Sequence, residues 1–508
     1  MPFRRDGLAE GDHDGAFATS RRARRRPCRP MIFASFEFLC LFLPVFFAAY
    51  FVTPFQYRNW PILVLSWAFY AWWRVDFLAL LVFCTVFTFY TVKFMDQAGP
   101  RTRLGTWLLV LGLAGNLGVL AYFKYANFGV GAFNDIRASM GLAPVAWVEI
   151  VLPIGLSFYV LQSVSYLTDI WRGTVPVTRR LVDYATYKAI FSQLIAGPIV
   201  RYAEIKDELV SRPHSLAQFG LGARRFMIGF AMKVCLADTV ALVADAAFAL
   251  PAPTLADSWT GAIAYTLQLY FDFAGYSAMA IGLALMIGFH FPENFNHPYL
   301  AGSIQAFWQR WHMTLSRFLR DYLYISLGGN RRGAFRTYLN LFLTMAIGGL
   351  WHGANWTFIA WGAWHGGLLA AHRLWQGAGA RPMGFALGNA LTMLAAIVGW
   401  VVFRAHDIGN AGTMYGGMLG LNGAALSDAL AWQVTPDQWW TMLIAVVIVY
   451  LPLLGSRLPF LRPPEAMGGG LVGGTWRAAW MVAPLCGFLL GVVLLYSRAA
   501  VPFLYFQF

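Results

Sequence analysis

Long apolar runs separated by short polar or basic breaks cover the chain from about residue 33 to residue 495. A hydrocarbon core about 30 Å thick needs about 20 apolar residues in a helix. On that measure spans are predicted at Phe33–Val52, Trp60–Trp73, Phe77–Met95, Leu104–Phe123, Val148–Leu167, Phe226–Phe248, Trp259–Gly288, Tyr338–Leu350, Trp356–Leu374, Leu387–Phe403, Trp440–Leu454 and Ala479–Leu495. Several are too short to cross alone, and Trp259–Gly288 is long enough to be broken. The apolar character is continuous within each run and does not alternate, which favours helices over barrel strands. The predicted class is therefore all-α and polytopic, with no long soluble domain and no short-period repeat.

Two stretches read differently. Ala185–Val200 is apolar but interrupted by Gly197-Pro198, which predicts an interfacial or re-entrant piece. Ser303–Ile325 has helical periodicity: Phe307, Trp311, Leu315, Phe318 and Tyr322 on one face, Arg310, Thr314, Arg317 and Asp321 on another. Such a basic amphipathic helix is expected to lie along the membrane surface. Its arginines, with Arg331, Arg332 and Arg336, place it on the cytoplasmic side. Ala405–Pro436 has no Lys or Arg and is expected outside.

Composition strengthens this picture. Only 12% of the 508 residues are charged and 58% are hydrophobic, against about 25% charged in soluble domains. The formal charge is +14, but the basic residues cluster between apolar runs, so anionic lipid is the expected partner and nucleic acid is not. The five cysteines are scattered without metal or disulfide spacing. Residues 1–30 hold eight Arg and four acids and no apolar pattern. They are expected to be a disordered cytoplasmic arm, or an upstream extension with Met31 as the initiator. A membrane domain over 31–500 and a tail at 501–508 complete the organisation.

Ionisable residues in or beside spans are functional candidates. Glu149, Lys233, Asp238 and Asp245 are expected to pair with neighbours and hold packing. Asp169 and Asp272 complete the charged set. His352 stands apart, at the end of an apolar helix in Gly348-Gly349-Leu350-Trp351-His352-Gly353-Ala354-Asn355. Trp351 and Trp356 would surround the ring with apolar surface, which favours the uncharged imidazole, a competent general base. A hydrogen-bonded interfacial histidine is the alternative. His312 falls on the border of the amphipathic faces, with Trp308 and Ser316 as its neighbours four residues away. His365 and His372 share a helix face, but no third ligand stands at metal spacing, so no metal is expected. No GxSxG, Walker, GxGxxG or HExxH pattern is present.

Several segments together resemble the membrane-bound O-acyltransferase family, in particular its bacterial alginate O-acetyltransferase branch. They are LPIGLSFYVLQSVSY (152–166), QLIAGPIVRY (193–202), FDFAGYSAMAIGLAL (271–285), FPENF (291–295), FWQRWHMTLSRFLRDYLYISLGGNR (307–331) and TMAIGGLWHGANWTFIAWGAWHG (344–366). The start at Met31 resembles a family N-terminus. Ala274, Ala278 and His297 depart from the residues common there. The resemblance implies a ring of about 11–13 spanning and re-entrant helices with funnels from both faces. It implies that His352 is the catalytic histidine and His312 its partner, with Trp308, Trp311, Ser316, Trp351 and Asn355 as candidates to line the tunnel.

The same resemblance implies an acyl, chiefly acetyl, transfer in a bacterial inner membrane, with no bound cofactor. The donor would be acetyl-CoA or an acyl-carrier thioester on the cytoplasmic side. Arg310, Arg317, Arg320, Arg331 and Arg332 are candidates for its phosphates; topology and lipid headgroups explain the same arginines equally well. The acceptor would be a polysaccharide hydroxyl, or one on an extracytoplasmic transferase partner. His312 would orient the thioester or donate to the oxyanion. Two other readings remain from the residues: a transporter using a broken Trp259–Gly288 helix and Asp272, and a haem carrier using His352, His365 or His372. D-alanyl transfer is the alternative within the family.

Overall fold

Each predicted span falls wholly or partly on a helix, because backbone groups in lipid can be satisfied only within a helix or a closed barrel. The computed structural model describes residues 31–379, 381, 383–454, 471–498 and 503–504, and among these residues there is no β-strand. The 1–30 arm and all of the 501–508 tail except Phe503 and Leu504 lie outside the described residues.

Six helices are long and apolar enough to cross a membrane: Val75–Ala98, Arg103–Ser139, Leu216–Phe248, Leu255–Met286, Phe385–Arg404 and Pro436–Leu454. Shorter apolar helices include Glu37–Val52 and Val482–Ser497. Large apolar side chains such as Phe83, Leu111, Leu443 and Val447 are exposed on these helices, as a lipid-facing surface requires. The chain is a multi-pass membrane protein.

The Leu255–Met286 helix is the hub. Its apolar window is 83% buried, against 22% for Pro436–Leu454 and 28% for Arg103–Ser139. Glycines let the Leu216–Ala231 helix lie directly on it. A Cβ on Gly222 would stand 2.6 Å from the Gly282 carbonyl oxygen, and one on Gly229 2.4 Å from that of Gly275.

The structure corrects several expectations. Trp259–Gly288 is not broken: it lies on one unbroken helix, Leu255–Met286. Val148–Leu167 does not begin as helix; its helix starts at Leu156, after Gly155 in a left-handed conformation (φ 77°), and Glu149 is exposed. Leu104–Phe123 continues to Ser139, in a helix of 37 residues. Ala185–Val200 is a run of two short helical pieces and irregular chain, buried throughout. Ser303–Ile325 is not one surface helix; it breaks at Trp311-His312 into Ile304–Arg310 and Met313–Phe318, followed by a π-turn at Leu319–Tyr324.

Arg101 and Arg172 lie together at one face with the segment that carries Asp321. Arg101 Nη2 donates to the Arg172 carbonyl (2.8 Å), and Arg172 Nη1 to the Asp321 carbonyl (3.1 Å). The Ala334–His352 helix starts just after Arg331 and Arg332 at that face. His352 ends it, 18 residues or about 27 Å further along.

Candidate active site around His352 and His312

Two glycine contacts position the helix that carries His352. A Cβ on Gly349 would lie 2.2 Å from the Phe358 carbonyl oxygen, and one on Gly362 2.5 Å from that of Met345. The Ala334–His352 and Trp356–Gly377 helices therefore cross backbone to backbone. Asn355 starts the second helix: its Oδ1 accepts from Thr357 N–H (3.1 Å), and its Nδ2 donates to the His406 carbonyl (2.8 Å). Asn355 thus caps that helix with one end of its amide and ties it to the His406 segment with the other.

The His352 side chain is 5% exposed. Its ring meets the rings of Trp351 (5.0 Å between centroids), Trp361 (5.1 Å) and Phe403 (5.4 Å). It lines a pocket of about 60 Å³, with Trp351, Lys124, Ile195 and the Leu152–Phe158 segment.

His312 is held by a different device. It has φ 41°, ψ 54°, one of only two non-glycine residues at positive φ among those described. Such a conformation costs of order 1–3 kcal/mol and persists only where the surroundings impose it. Asn294, in the FPENF segment, imposes it: its carbonyl accepts from Met313 N–H (2.9 Å), and its Oδ1 lies 3.0 Å from His312 Nδ1. Thr314 Oγ1 donates to the same Oδ1 (2.9 Å), while Asn294 Nδ2 donates to Ser277 Oγ (3.1 Å). An oxygen that accepts from Thr314 faces a protonated Nδ1, so neutral His312 carries its lone pair on Nε2. In this tautomer it accepts a proton or hydrogen bond at Nε2. It could donate to an oxyanion from Nε2 only after taking a proton, which changes the donor role anticipated from the sequence.

His312 is 1% exposed, so it is buried and not at an interface as the amphipathic pattern suggested. Trp351 connects the two histidines, with its ring 6.5 Å from that of His312 and 5.0 Å from that of His352. The broken helix brings together what a straight surface helix would have kept apart.

Other candidates fall around this centre. Trp308 packs edge-on against Trp361 (5.6 Å) and His365 (5.2 Å); Trp311 packs on Trp400 (4.9 Å) and Phe295 (5.1 Å). Ser316 Oγ donates to the Trp311 carbonyl (3.3 Å). Ser316 thus bridges the helix break, and of the tunnel candidates only Trp351 lines the His352 pocket. Arg310 Nη1 reaches the Leu300 carbonyl (3.4 Å), Arg317 pairs with Glu204 (3.7 Å) and Arg320 with Asp321 (2.7 Å), while Arg331 and Arg332 are exposed.

Asp238, Asp272 and Asp245 are paired as expected, whereas Glu149 is exposed and has no ion pair among the described residues. Lys233 binds Asp238 and, at 2.9 Å, Asp272, which also accepts from Leu504 N–H (2.9 Å); Asp245 pairs with Arg404. An unbroken helix with Asp272 in an ion pair removes the broken-helix argument for a transporter. His365 lies buried among Trp308, Trp361 and Trp400, whereas His372 sits in an apolar surface groove with Trp375.

Three residues around the histidines escaped the sequence reading. Asn294 lies within the FPENF motif (291–295). Lys124 and Tyr125 fell just beyond the predicted span ending at Phe123, although aromatic residues on both sides of Lys124 signalled a continuing helix. Lys124 is 8% exposed and its Nζ donates to the backbone carbonyls of Trp351 and His352 (2.9 Å to the latter). Tyr125 Oη donates to that of Leu350 (2.8 Å).

The sequence model of the MBOAT, membrane-bound O-acyltransferase family matches residues 176–408, which include both histidines. A probable alginate O-acetylase AlgI of Pseudomonas putida is 48% identical over 94% of this chain and 100% of the relative. The protein of the same name in Pseudomonas aeruginosa is 50% identical over 85% of this chain and 83% of its own length. A peptidoglycan O-acetyltransferase of Helicobacter pylori is 38% identical over 78% of this chain and 81% of its own length. With nearly full-length identity of this order, the chain belongs to the membrane-bound O-acyltransferase family and is an O-acyltransferase.

Proposed function

We propose that the protein moves an acetyl group from a cytoplasmic thioester to a hydroxyl on the extracytoplasmic side, for O-acetylation of an alginate-type exopolysaccharide at a bacterial inner membrane. The observation that carries this reading is the placement of His352. A buried imidazole ends a helix about 27 Å from the arginine-rich face and opens onto a small pocket beside a second buried histidine. On this reading the Arg101, Arg172 and Arg331 face is cytoplasmic, and the acceptor reaches the pocket from the outside, where polymer is finished. Relatives named as alginate O-acetylases support the choice of acceptor.

The donor is acetyl-CoA or an acyl-carrier thioester. Its phosphates meet the arginine face, where Arg331 and Arg332 are exposed. A pocket of about 60 Å³ admits the acyl carbon and a hydroxyl but no nucleotide. His352 takes the proton as the hydroxyl oxygen bonds to the thioester carbon, and the proton leaves with the thiolate as the C–S bond breaks. General-base catalysis of this kind contributes about 10²–10⁴-fold. His312, with its lone pair on Nε2, accepts a hydrogen bond from the incoming hydroxyl or takes the proton in turn. The hydroxyl belongs to the polymer or to a transferase partner that passes the acetyl on.

The test replaces His352 with Ala and measures polymer-bound acetate in cells at matched protein level. Acetylation should fall by at least 10²-fold; undiminished acetylation would remove the proposed base.

A further inference from the structure

We infer that Lys124 and Tyr125 are positioning residues for the transfer, acting as a clamp that sets the end of the helix carrying His352. The inference rests on the reading of His352 given above. The last four carbonyls of any helix lack partners within it. In the Ala334–His352 helix these are Gly349, Leu350, Trp351 and His352. Many helices solve this with a left-handed residue just past the end. Here Gly353 is extended instead (φ −162°, ψ 154°) and the chain leaves directly. The partners come from another helix: Lys124 Nζ serves the carbonyls of Trp351 and His352, and Tyr125 Oη that of Leu350.

Lys124 also stands over the Trp351 ring (5.8 Å to its centroid), the ring packed against both histidines. No carboxylate pairs with Lys124 among the described residues. Its Nζ faces the negative end of the helix. That explains a lysine here: one amine bridges two successive carbonyls and complements the helix end. Lys124 and His352 line the same pocket, so the residue that fixes the helix end also borders the acceptor hydroxyl. Without the clamp the terminal turn could fray. Displacing a base by about 1 Å costs on the order of 10²-fold in rate.

The experiment compares Lys124→Met, Lys124→Arg, Tyr125→Phe and His352→Ala in cells making the polymer. Acetyl transfer is expressed per folded molecule, counted as monodisperse protein in detergent. Lys124→Met should lose roughly 10²-fold. Lys124→Arg, which keeps donors for both carbonyls, should recover most of it, and Tyr125→Phe should lose several-fold. Wild-type transfer by Lys124→Met, or a Lys124→Arg no better than Met, overturns the clamp while an inactive His352→Ala leaves the reading of His352 standing. A fully active His352→Ala overturns that reading first, and the clamp with it. Should Lys124→Met leave no folded protein, Tyr125→Phe decides: reduced transfer per molecule supports the clamp and unchanged transfer refutes it.

Discussion

Asn294 Oδ1 lies 3.0 Å from His312 Nδ1 and fixes which nitrogen of that histidine carries hydrogen. The relation joins two segments 18 residues apart in sequence and couples backbone strain at His312 to a defined tautomer.

Asn294→Ala should therefore release the ring. Transfer should fall by about 10–10², and stability by about 1–3 kcal/mol because a buried donor or acceptor is left unmade. Polymer-bound acetate and thermal unfolding in detergent measure the two losses separately. Wild-type transfer would mean that His312 orientation does not matter.

Replacing His312 itself distinguishes proton transfer from hydrogen bonding. An Asn there tolerates the left-handed backbone better than most residues and retains polar atoms, but it cannot take a proton. Transfer by His312→Asn within about tenfold of wild type would assign a hydrogen-bonding role. A loss of 10² or more would assign proton transfer.

The Lys233 ion pairs predict a stability effect separate from the chemistry. Lys233→Met leaves the buried Asp272 and the partly buried Asp238 without their cation and should cost about 3–5 kcal/mol. Adding Asp238→Asn and Asp272→Asn should restore much of the melting temperature. Failure to do so would show that the lysine's packing, and not its charge, is what matters.

The crossing of the two helices near His352 depends on glycine. Gly349→Ala puts a Cβ against the Phe358 carbonyl and should cost about 1–3 kcal/mol as the helices part. His352, three residues on, should lose transfer with it. Gly367→Ala is the control, because its Cβ would meet nothing within 4 Å. Equal behaviour of the two variants would contradict the close crossing.

Which segments leave water, and that they are helices, was legible from the sequence alone. Continuous apolar runs have few solutions in a bilayer, and a charge deficit of this size cannot be hidden in a soluble fold. The glycines flanking His352 and the long motifs around both histidines were legible for the same local reason. The tertiary structure alone decided where helices break and what completes them. Periodicity at Ser303–Ile325 described a straight helix, yet Asn294, from another segment, bends the chain at His312. The apolar run at Leu104–Phe123 stops at Lys124, yet the free carbonyls of a distant helix end let that amine stay buried. A residue's neighbours in sequence set its propensity. Whether a buried polar group is tolerated depends on partners that only the folded bundle supplies.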